Sequence, residues 1–164
     1  MNFYTFIKLL HVFTAFWFIT GILGRQLTRT QARRAVDIHD FTTLSDLAAR
    51  FEELMVIPGN LAVIVLGIVV ALLGKWPILG FLQGASQNWL LVSNLILIAG
   101  SFLVPLVFLP RGKLFAATLQ DAQKVNRITP ELVNALDDPV VRLAHWGELI
   151  MIGLVITLMV LKPF

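Results

Sequence analysis

The chain of 164 residues contains no cysteine, which excludes a disulfide framework, a thiolate metal centre and a c-type cofactor attached through a Cys-x-x-Cys-His run. Charge is almost as scarce. Asp, Glu, Lys and Arg make up 14% of the residues against 57% hydrophobic ones, and mean hydropathy is +0.82, too apolar for a soluble domain of this length. No low-complexity linker and no internal repeat divide the chain, so residues 1–164 read as one domain.

Four stretches are long enough to cross ~30 Å of hydrocarbon at ~1.5 Å per residue: about residues 3–23, 54–73, 89–109 and 141–161. No basic segment precedes the first, and Gly21-Ile22-Leu23-Gly24 is a poor cleavage site, so a retained helix is expected rather than a signal peptide. The expected fold is all-α, an integral membrane four-helix bundle with cytoplasmic helical extensions. Residues 25–53 hold five Lys or Arg and residues 110–142 hold another five, against Lys8, Lys75 and Lys162 on the other side. The positive-inside rule then places both long connections in the cytoplasm and both termini outside. The lipid bilayer is the first partner, and its anionic headgroups account for the basic balance without nucleic acid.

The long connections carry helical grammar. Thr43 followed by Asp46 is expected to cap a helix whose apolar positions Leu44, Leu47, Ala48, Phe51, Leu54 and Met55 run into the second span. Pro58-Gly59 is expected to kink it. Residues 118–127 should prolong the third helix, while Thr129-Pro130 and Asp138-Pro139 are cap and first-turn pairs for a short helix and for the fourth span. The outer connection, residues 74–88, is short, with Trp76 and Trp89 at interfacial depth.

His11 is the most informative residue, because an ionisable side chain in a membrane span is a functional candidate. Neutral imidazole is a common ligand of haem iron, so His11 is a candidate metal ligand, with Thr14 and Phe18 on its helical face able to accommodate a planar macrocycle. A hydrogen bond to a neighbouring helix is the competing role. On the fourth span Arg142, His145 and Glu148 follow at spacing three. Glu148 lies two turns into an apolar run and needs a cation or a proton; Arg50, Arg111 and Arg142 are candidate partners, and Glu52, Glu53 and Asn60 lie at similar depth. Glu148 and His145 are therefore candidate catalytic residues at a substrate or proton site, with a register-fixing ion-pair cluster and a metal site as alternatives. His11 and His145 differ in depth by over ~10 Å and are not expected to share one iron. His39 reads as a solvated loop residue, and Ser93 and Asn94 as interhelical hydrogen-bonding groups.

The opening run Lys8-Leu9-Leu10-His11, then Trp17-Phe18 and Gly21, resembles the first helix of the bacterial membrane protoporphyrinogen oxidase family. The closing run from Glu148 to Lys162-Pro163-Phe164 is similar to that family's last helix. The resemblance implies a b-type haem held by His11, with electrons passed towards the quinone pool of a bacterial inner membrane. That family also has a Trp-Leu-His-x-Lys setting in a later helix; Trp89-Leu90-Leu91-Val92-Ser93-Asn94 has neither the histidine nor the lysine, so enzymatic activity is left open. Size and loop lengths also resemble a related group of uncharacterised predicted integral membrane proteins and, more distantly, the copper-resistance D type of membrane domain.

The leading expectation is thus a membrane protein that binds noncovalent haem b or a porphyrin through His11, in membrane redox or porphyrin chemistry, with Lys8 and Lys162 receiving the propionates. The alternatives are a non-catalytic subunit of a larger membrane complex or a homo-oligomer, with Gly59, Gly67, Ala71, Gly100 and Ser101 lining its interfaces, and an ion path using Glu148 and Glu52.

Overall fold

Residues 2–164, described by a computed structural model, form helices and short turns, with no strand among the described residues. The order is α1 (Phe3–Ala32), α2 (Ile38–Phe51), a π-helical turn (Glu52–Val56), α3 (Ile57–Leu73), a 3-10 turn (Gly80–Gln83), α4 (Trp89–Ser101), a second π-helical turn (Val104–Phe108), α5 (Leu109–Lys124), α6 (Pro130–Leu136) and α7 (Pro139–Leu161). Two of these chains of elements run on without a break. The molecule therefore has four helical rods long and apolar enough to span a membrane, Phe3–Ala32, Ile38–Leu73, Trp89–Lys124 and Pro130–Leu161. Each contains one of the four apolar stretches, and each continues at the basic end as an extension. Large apolar side chains such as Phe13, Phe16, Leu61, Leu106, Leu143 and Val160 are exposed around the rods, the arrangement lipid requires and water penalises.

The second rod begins earlier than the Thr43 reading. Asp37 is its N-cap, accepting from the Asp40 N–H, whereas the Thr43 hydroxyl donates to the His39 carbonyl inside the helix. An acid at the cap satisfies an orphan N–H and faces the positive helix end, so His39 sits, exposed, in the first turn. Thr129 and Asp138 do cap α6 and α7, and the third rod ends at Lys124.

Both π-helical turns adjoin a proline. Pro58 has no N–H to give the Leu54 carbonyl. The backbone widens just before it, with Ile57 N–H donating to Glu52, and Trp17 Nε1 on α1 donates to the Leu54 carbonyl at 3.3 Å. The helix is thus repaired across the bundle rather than sharply broken, the usual remedy inside a membrane. Pro105 sits in the second π-helical turn, where Leu109 N–H donates to Val104.

The rods pack as two pairs, α1 against α3 and α4 against α7, with fewer contacts between the pairs. Glycine lets the first pair close. A Cβ on Gly59 would stand 3.0 Å from Phe18 Cβ, and one on Gly21 would stand 2.6 Å from Met55 Cβ, so these glycines and Gly67 serve contacts within the chain. At the basic end Ile38, Phe41, Ala122, Leu132 and Leu136 form a small core that ties α2, α5 and α6 together. At the opposite end Lys162, in the left-handed region at φ 46°, ends α7. Its Nζ lies 4.4 Å from the Trp76 ring and 5.2 Å from Trp89, and the Phe164 carbonyl accepts from the Asn88 and Trp89 N–H groups.

Candidate functional site

The structure gathers Glu148 and His145 with a partner that the reading of the loops overlooked. Glu148 is buried and bonds to Arg25, on the fourth turn beyond His11 in α1, and Arg25 reaches Glu52 on the π-helical turn with its other amino group. Arg25 is 4% exposed. Counted from sequence as a loop cation, it belongs to the buried stripe Phe18, Ile22, Arg25, Thr28, Ala32, whose helical spacing was the available signal. Arg50, Glu53 and Arg142 are exposed and stay outside the cluster, and Arg111 pairs with Asp138 at 2.8 Å.

His145 approaches the same carboxylate, its Nδ1 at 3.3 Å from Glu148 Oε2. The spacing of three along α7 puts the two on one face. Phe108 stacks on the imidazole with ring centroids 4.7 Å apart and lies 5.4 Å from the Arg25 guanidinium carbon. The π-helical turn that contains Phe108 thus supplies an aromatic wall to the polar cluster, as α2 and its own π-helical turn supply Glu52.

A cavity of about 320 Å³ opens beside this cluster at the basic end. Arg25, Arg29, Glu52 and His145 contribute its polar lining, and Phe108, Phe115 and Leu119 much of its apolar wall. Three atoms of its lining residues, Arg25 Nε, Ser45 Oγ and His145 Nε2, are buried without a hydrogen-bond partner. Arg29 donates to the Leu136 carbonyl at 3.3 Å and has no carboxylate within ion-pair distance among the described residues. A second cavity of about 240 Å³ lies deeper, lined by Glu148, Asn60, Ser101, Phe18 and Pro105, with Ile57 and Val104 common to both. There Asn60 Nδ2 donates to Ser101 Oγ at 2.9 Å, a bond between α3 and α4. Ser93 instead bonds to the Trp89 carbonyl of its own helix. Glu148 lines the second cavity while its partners Arg25 and His145 line the first, so the ion pair stands in the wall between them.

His11 lies elsewhere, half-buried in the α1–α3 seam. A Cβ on Gly67 would stand 3.1 Å from its Cε1 and 3.6 Å from its Nδ1, and Nδ1 is buried without a partner. Thr14 bonds to the Leu10 carbonyl of its own helix, and Phe18 packs on Gly59. The face expected to receive a macrocycle packs against α3. Lys8 is exposed, and Lys162 is engaged with the two tryptophans. Among the described residues no three His, Asp or Glu side chains converge as a metal-ligand group.

A family model described as "Predicted integral membrane protein (DUF2269)" matches residues 5–163. No curated protein and no solved structure matches the chain.

Proposed function

The chain belongs to the DUF2269 family of predicted integral membrane proteins, and we propose that it binds a small amphipathic organic anion in the cavity at the basic end of the bundle. One observation carries this reading: Arg25 Nε, Ser45 Oγ and His145 Nε2 are buried without partners on residues that line that cavity. Buried polar atoms in folded proteins are nearly always paired, so three orphans on residues that line one apolar-walled hollow leave hydrogen bonds that a ligand's polar group can complete. Arg29 offers the ligand a guanidinium with no competing carboxylate, and Phe108, Phe115 and Leu119 suit an apolar body. By the charge bias of the connections this end faces the cytoplasm of a bacterial cell, with both termini outside, so the ligand enters from the cytosol or the inner leaflet.

The test is calorimetric titration of the protein in nanodiscs with 4-phenylbutyrate, against 4-phenylbutanol as the uncharged control. The acid should bind saturably to protein-loaded discs and not to empty ones, the alcohol should not, and Arg29→Gln should weaken binding about tenfold. Equal binding of acid and alcohol, or no binding of the acid, refutes the reading.

A second reading keeps haem b at His11, favoured by the unpartnered imidazole nitrogen inside the membrane. A redox role with the quinone pool would follow from that ligation. A Soret band in the purified protein, lost in His11→Ala, would support it; a colourless folded protein after haem is supplied would end it.

A further inference from the structure

The charges around the basic-end cavity are balanced before any ligand arrives. On α1 stand Arg25 and Arg29; facing them are Glu52 from the π-helical turn and Glu148 from α7. Arg111 of α5 is neutralised by Asp138, and Asp46 of α2 is exposed at the rim, where solvent screens it. His145 is the remaining titratable group. Its Nδ1 lies near Glu148 and its Nε2 is buried without a partner. With Nδ1–H donating to Glu148, Nε2 carries a lone pair that nothing in the protein meets, and its protonation creates a donor on a residue that lines the cavity.

An anion added to two cations and two carboxylates leaves an uncompensated negative charge in a partly dehydrated hollow, which is costly. We infer that anion binding in this cavity is coupled to the uptake of one proton by His145, whose imidazolium then bridges Glu148 and the ligand. This rests on the proposed anion site and deepens it. The step makes one N–H bond at Nε2 with a proton from solvent, and no other bond is made or broken. The ligand class narrows accordingly to monoanions, such as a single carboxylate on an apolar body, because a dianion would demand a second proton and no second free acceptor of this kind lines the cavity among the described residues.

The same titration with 4-phenylbutyrate decides it when repeated near neutral pH in two buffers of different ionisation enthalpy. The wild type should take up about one proton per ligand, and affinity should fall about tenfold for each pH unit of increase. Glu148→Gln makes the cavity net positive before binding. It should therefore bind the acid with proton uptake near zero, lose the pH dependence, and bind more tightly than wild type at alkaline pH. His145→Gln should also lose the uptake, but with affinity about tenfold weaker near neutral pH. A merely structural role for Glu148 would weaken binding at every pH. Binding with buffer-independent heats in the wild type overturns the coupling while leaving the anion site standing. Uptake that persists in His145→Gln overturns His145 as the acceptor, and absence of binding overturns the site itself.

Discussion

The α1–α3 seam predicts a large difference between chemically identical substitutions. Alanine at Gly21 would place its Cβ 2.6 Å from Met55 Cβ, 3.2 Å from Val56 Cγ2 and 3.3 Å from the Met55 carbonyl carbon. Two of those atoms are backbone or next to it, so they cannot swing aside as a flexible side-chain end would. Overpacking of this kind costs about 1–3 kcal/mol. Alanine at Gly153, on α7, or at Gly112, on α5, meets nothing within 4 Å. All three substitutions carry the same gain in helix propensity, about 1 kcal/mol, and that gain cancels when they are compared. Gly21→Ala should therefore be about 1–3 kcal/mol less stable than Gly153→Ala, while Gly153→Ala and Gly112→Ala match or exceed the wild type. Reversible unfolding in mixed micelles, followed by tryptophan fluorescence, measures these differences. Equal stability for Gly21→Ala and Gly153→Ala would refute the close approach of α1 to the start of the second span, and with it the wall that brings Arg25 to Glu52.

Two further predictions rest on the same packing and a third on the charge bias of the connections. Arg25→Gln leaves Glu52 and Glu148 facing each other without their cation and should cost about 3–5 kcal/mol, most of it recovered when both acids are also changed to Gln; thermal unfolding of the single and triple variants checks this. Trp17→Phe should cost about 0.5–1.5 kcal/mol by orphaning the Leu54 carbonyl, and much less in a Pro58→Ala background, whose restored N–H serves that carbonyl; a double-mutant cycle reads the coupling. The natural chain has no cysteine, so Val36→Cys, at a site 95% exposed, and Ser86→Cys, on the connection before α4, are clean topology reporters. An impermeant maleimide applied to spheroplasts should label Ser86→Cys and leave Val36→Cys unlabelled until the membrane is opened, and the opposite pattern would invert the assigned orientation.

The parts of the fold that depend on one-dimensional pattern were readable: four apolar spans, the caps at Thr129 and Asp138, and the spacing that puts His145 beside Glu148. The parts that depend on which rods meet were not. Arg25 looked like a loop cation because the apolar stretch ends near Leu23, yet α1 continues to Ala32 and turns Arg25 inward. Thr43 looked like a cap because an acid follows it three residues later; Asp37 and Asp40 have the same spacing, and an acid is the stronger cap beside the positive end of a helix. Gly67 carried no sign that it faces His11, since a glycine notch is visible only when the opposing side chain is known.

The position of the site follows from these same pairings. Glycine lets α1 and α3 close tightly, α4 and α7 form the other pair, and the polar cluster and its two cavities lie where the pairs meet. Each pair brings a proline-associated π-helical turn to this level, one presenting Glu52 and the other Phe108. Both turns lie at the level of the cavities, so Glu52 and Phe108 reach the site from widened stretches of helix. Arg25 pairs with Glu52 within its own helix pair and crosses the gap only to Glu148, so one cation stands between two acids. Glu148 lines the deeper cavity and pairs with Arg25, which lines the other, so a ligand bound as proposed in the basic-end cavity would be felt in both through that ion pair.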